Sequence, residues 1–66
     1  SEIKNLIKEA FPLNEYINKN IIKQKIMDIY YQNGIMSKVT QNTIKSYFEC
    51  KESGKINSFK LIKFKF

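Results

Sequence analysis

The chain has 66 residues, 42% of them hydrophobic and 14% aromatic, which gives it one hydrophobic core and too many core formers to stay disordered. No apolar run approaches the ~20 residues that span a bilayer, and the start SEIKNLIKEAF lacks the apolar core and cleavage site of a signal peptide. The net charge of +6 comes from twelve lysines against six acids; with no histidine and the single Cys50, the sequence excludes a Cys/His zinc cluster and a nucleophile served by imidazole.

These totals set the first expectations. Residues 1–66 read as a single domain, intracellular, with no membrane partner, no small-molecule substrate, no cofactor, no metal and no catalytic residues. The acids are scattered among lysines, Glu49 and Glu52 have no evident carboxylate partner for acid/base work, and Gly34 and Gly54 are isolated rather than part of a phosphate-cradling loop. Cys50 is expected to be a small buried hydrophobe rather than a reactive thiol. A chain that begins at Ser1 fits an excised or processed fragment.

In chain order, Ile3, Leu6, Ile7 and Ala10 fall at helical spacing with Lys4, Lys8 and Glu9 turned outward, and Pro12 marks the end of this first helix. The stretch LNEYINK, 13–19, suggests a single helical turn that brings Tyr16 and Ile17 to the core. Asn20 then stands as the N-cap of the strongest helix, IIKQKIMDIYYQN. In it Ile22, Ile26, Ile29, Tyr30 and Asn33 share a stripe, and Gly34 supplies the stop. Residues 35–39 read as a short strand or an extended link.

Thr40 sits where an N-cap belongs, and QNTIKSYFECK follows with Ile44, Tyr47, Phe48 and Lys51 on neighbouring turns, which predicts a third helix. Its opposite face presents Gln41, Asn42, Lys45, Ser46 and Glu49, side chains whose donors and acceptors can read base edges in a major groove. The same residue types also suit an ordinary solvated face. Beyond Gly54 the sequence KINSFKLIKFKF turns to β character, with Asn57-Ser58 as the expected hairpin turn. Ile62, Phe64 and Phe66 share one face and Lys63 and Lys65 the other; Phe59 and Leu61 are out of phase with them and signal a bulge.

Charge is divided unevenly along the chain. Residues 1–34 carry five lysines against four acids and residues 35–66 seven against two, so the halves net +1 and +5. Heavy use of Lys, Ile and Asn fits an AT-rich genome, but codon bias does not of itself separate acids from bases. A field concentrated in one half is the usual footprint of a surface that meets phosphates. The helices mix both signs, which argues against adsorption to an anionic membrane.

The order of two helices, a capped helix opened by Thr40-Gln41-Asn42-Thr43-Ile44-Lys45, and a basic C-terminal hairpin resembles the winged helix-turn-helix superfamily over about residues 20–66. The resemblance implies a small α+β fold of three helices with a C-terminal β-hairpin, the wing. No strand pattern is legible between Lys51 and Ile56 for the wing's first arm. The layout also looks like the accessory winged-helix modules of primase-helicases in viruses and mobile elements, which implies a role in replication or regulation. In this family the last helix enters the major groove and the wing meets the neighbouring backbone. Carried over, the nucleic-acid-binding residues are Lys38, Gln41, Asn42, Thr43, Lys45 and Ser46, with Lys55, Lys60, Lys63 and Lys65 on the wing.

The partner implied is DNA, double- or single-stranded, and Tyr16, Tyr31 or Phe59, if exposed, could stack bases. The competing reading is a protein-interaction module docking on a larger parent or partner protein through the first helix or the aromatic terminal strand. A large uncovered apolar patch would favour it.

Overall fold

The computed structural model describes residues 2–66; Ser1 lies outside the described residues. The fold is α+β, with three helices and one antiparallel three-stranded sheet in the order α1 (Glu2–Ala10), β1 (Tyr16–Asn18), α2 (Lys19–Gln32), α3 (Gln41–Tyr47), β2 (Phe48–Glu52) and β3 (Ser58–Phe64). The last strand is central, giving the sheet order β1-β3-β2.

The first helix forms where expected, with Ile7 fully buried and Ile3 and Ala10 packed against the core. Proline 12 cannot continue the helical hydrogen bonds, and Phe11 turns inward. Asn14 adopts a left-handed φ of 64°, a conformation asparagine tolerates better than most residues, and its N–H reaches the Leu61 carbonyl at 2.7 Å. This contact delivers the next residues to the sheet. The helical turn expected over 13–19 is therefore a short strand: Tyr16, Ile17 and Asn18 pair with Lys60, Phe59 and Ser58. Strand alternation puts Ile17 inward and leaves Tyr16 out, whereas the helical reading had sent both to the core.

The cap of α2 falls two residues earlier than Asn20. Asn18 Oδ1 accepts the Asn20 N–H at 2.8 Å, so the helix starts at Lys19. Ile22, Ile26 and Tyr30 form its buried stripe. At the other end Gly34 takes φ +76°; its N–H binds the Tyr31 carbonyl while the Ile35 N–H binds that of Tyr30, the paired closure of a Schellman motif. Of the two readings of 35–39, the extended link is the one found, pinned by buried Val39.

Helix α3 begins as expected at Thr40, whose N–H donates to Thr43 Oγ1 at 3.1 Å. It ends at Tyr47, four residues short of the expected Lys51, because Phe48–Glu52 forms the missing first arm of the hairpin. Phe48 is fully buried, edge-on to Phe11 at 5.5 Å and tilted on Phe64 at 5.2 Å. The hairpin turn is 53–57 rather than Asn57-Ser58. Ser53 organises it: its Oγ accepts the N–H groups of Lys55 and Ile56, and its own N–H reaches the Ser58 carbonyl.

The bulge is present. Glu49 pairs with Lys63 and Cys50 with Leu61, which leaves Ile62 as the extra residue of β3. The slip resolves the phase conflict in the sequence. Phe59 and Leu61 point into the core before it, Phe64 packs inward after it, and Ile62 is half-buried rather than leading the inner face. Phe66 lies past the strand at 39% exposure, held edge-on by the Tyr47 ring. No helix among the described residues is long and apolar enough to cross a membrane.

Candidate nucleic-acid interface

The residues carried over from the resemblance fall on two elements and the link before them. Lys38 is exposed in that link, and Gln41, Asn42, Lys45 and Ser46 are exposed on α3. Gln41, Asn42 and Lys45 make no side-chain hydrogen bond among the described residues, so their polar ends face solvent unengaged. Thr43 is half-buried and occupied with the Thr40 cap, and Ser46 Oγ donates to the Thr43 carbonyl at 2.6 Å. Both are committed to shaping the helix. Glu49, expected beside them, stands on β2 instead.

On the hairpin, Lys55 is exposed in the turn and Lys65 is exposed just after β3. The Lys65 N–H bonds the Tyr47 carbonyl at 2.9 Å, which fastens the end of the chain beside the end of α3. Cys50, expected to be buried, is half-buried on β2, and desolvation, the largest influence on it, pushes its thiol pKa up. Lys60 and Lys63 lie on the outer face of the sheet.

Acid placement decides how much of this charge is available. Glu52 hydrogen-bonds Lys19, a lysine only 6% exposed at the start of α2, and the lysine's hydrogen bond and charge hold the Glu52 carboxyl below its usual range. Glu49 lies 3.5 Å from Lys63. Both acids of the C-terminal half are thereby engaged. Among the described residues no carboxylate lies within ion-pair distance of Lys38, Lys45, Lys51, Lys55, Lys60 or Lys65. Lys51 is the basic residue that the sequence reading missed: assigned to a helix, it is on β2 directly opposite Lys60.

No cavity is present among the described residues, nor any group of three or more Cys, Asp or Glu side chains able to hold a metal ion. Tyr30, whose hydroxyl lies 2.6 Å from that of Tyr47, has its pKa raised by burial first and by that hydrogen bond second, so it stays protonated. Of the three aromatics considered for stacking, Phe59 is buried at 1% exposure, whereas Tyr16 and Tyr31 are 48% and 51% exposed. Comparison with known proteins finds no matching family, no matching curated protein and no matching solved structure.

Proposed function

We propose that this domain binds duplex DNA as a winged helix-turn-helix, led by phosphate contacts from Lys38, Lys45, Lys55 and Lys65. The observation that carries the reading is the set of C-terminal lysines left without a carboxylate once Glu49 and Glu52 are engaged. The element order helix, strand, helix, helix, strand, strand with β3 central supports it, since it supplies the capped helix and the two-armed wing that the resemblance implies. Gln41 and Asn42 open α3 with free amide groups suited to base edges. Lysine is a flexible point charge and makes poorer bidentate contacts to guanine than arginine does, so affinity for the backbone outweighs sequence discrimination.

A protein-docking role draws less support. The aromatic strand that would serve it is mostly engaged within the fold: Phe59 is buried, Phe64 half-buried against Phe48, and Phe66 packed on Tyr47 and Phe64. The most exposed apolar residues, Met36 at 78% and Ile56 at 62%, stand on the link and the hairpin turn.

The test is fluorescence anisotropy of a labelled duplex titrated with the domain across salt. Four lysines each neutralising one phosphate give a slope of log affinity against log salt of about −4. Lys45→Glu with Lys55→Glu removes that binding. A folded wild-type domain that fails to bind at low salt would falsify the reading.

A further inference from the structure

The outer face of the sheet carries a row that α3 and the hairpin turn do not need. Tyr16, Lys60 and Lys51 occupy directly opposed positions on β1, β3 and β2, so they run straight across the three strands. Tyr16 is 48% exposed, and the Lys60 ammonium sits 5.8 Å from the centre of its ring. Lys51 and Lys60 are like charges directly opposite each other, an arrangement that destabilises a sheet unless an anion lies between them. The acid nearest in the register, Glu49, is already engaged by Lys63.

The row combines two recognition elements: an aromatic ring about half exposed, with Lys60 beside it, and a pair of ammonium groups that no carboxylate among the described residues reaches within ion-pair distance. A duplex can meet the lysines but hides its bases from the ring, whereas a single strand offers unstacked bases and phosphates together. We propose that the row Tyr16, Lys60, Lys51 is a binding site for single-stranded DNA, with a base stacked on Tyr16 and the adjoining phosphate between Lys60 and Lys51. This rests on the reading of the domain as a DNA-binding one and adds a second surface to it. The duplex meets α3 and the hairpin turn, and a separated strand passes over the outer face of the sheet.

The experiment is anisotropy with two labelled probes, an oligothymidine of about 16 nucleotides and a duplex of mixed sequence, titrated with wild type, Tyr16→Ala, Tyr16→Phe and Lys51→Gln/Lys60→Gln. Loss of the stacked base in Tyr16→Ala weakens single-strand binding by at least about fivefold, while Tyr16→Phe keeps it. The double lysine variant, which gives up that one phosphate, reduces the magnitude of the single-strand salt slope by about 0.7. Because it also relieves a like-charge pair, its melting temperature should not fall. Duplex binding stays close to wild type in Tyr16→Ala. Wild-type binding of duplex without binding of the single strand, or a single-strand affinity indifferent to Tyr16→Ala, overturns this inference and leaves the duplex reading standing. No binding of either probe overturns both.

Discussion

Lysines in the two halves of the chain do different work. Of the five in residues 1–34, four lie over aromatic rings at 4.6–5.7 Å: Lys4 on Phe66, Lys8 on Phe64, Lys19 on Phe59 and Lys25 on Phe11. Three of those rings belong to the C-terminal strand or the residues after it, so lysine stems from α1 and α2 cover the aromatic end of the chain, with the charges of Lys4 and Lys8 near water and that of Lys19 buried. The later lysines cover little. Lys60 lies over the exposed ring of Tyr16, Lys63 answers Glu49, and among the described residues the rest have no carboxylate within ion-pair distance. Net charge alone does not separate these roles. The lysines of α1 and α2 that shield rings are part of the fold, and a later lysine without an acid is available to a phosphate.

The contrast should be sharpest in binding. Replacing Lys45, Lys55 and Lys65 together by Gln is expected to reduce the magnitude of the duplex salt slope by about 3 and leave stability within about 0.5 kcal/mol of wild type. Anisotropy and urea denaturation on the same sample check both halves of that statement. Lys19→Ala should do the reverse. It removes a buried stem, the cation over Phe59 and the partner of Glu52, and should cost about 2 kcal/mol in urea denaturation, since desolvated cation–π contacts reach that size. DNA affinity should be almost unchanged.

Acid should act on the same pair. Lys19 lowers the Glu52 carboxyl below its ordinary value of 4.5, so the folded state takes up this proton less readily than the unfolded chain. The contribution is complete above that ordinary value and is lost as pH falls through the lower folded one. Glu52→Gln should therefore flatten the decline in melting temperature below about pH 5, relative to wild type. A smaller effect is expected from Lys8→Ala, about 0.5–1 kcal/mol for an exposed cation over a ring. The smallest is Ser58→Ala. The Ser58 hydroxyl is buried without a hydrogen-bond partner, so its removal should be neutral or slightly stabilising in thermal melts.

Much of the helical framework was legible because helices announce themselves locally. The stripe of Ile22, Ile26 and Tyr30, the glycine stop at Gly34 and the cap at Thr40 each follow from short-range spacing and backbone chemistry. Strands were harder to read, since their partners lie far away in sequence. Phe48 through Lys51 satisfies helical spacing from Ile44, yet it alternates equally well as a strand, and pairing with β3 decides in favour of the strand. Tyr16–Asn18 is three residues long, too short to show a period at all. Both misreadings touched the candidate site. The first hid Lys51 and placed Glu49 on the helix; the second sent Tyr16 to the core. The conflicting phases of Phe59, Leu61, Ile62 and Phe64, by contrast, were a readable sign of the bulge at Ile62.

The most direct test of the division between fold-making and available lysines is a residue-resolved map: amide chemical shifts of the isotopically labelled domain, followed during titration with a short duplex at low salt. The largest changes are expected at 38–46, 53–57 and Lys65, with Lys4, Lys8, Lys19 and Lys25 unmoved. Shifts centred on α1 and the start of α2, with α3 and the hairpin turn silent, would contradict the account.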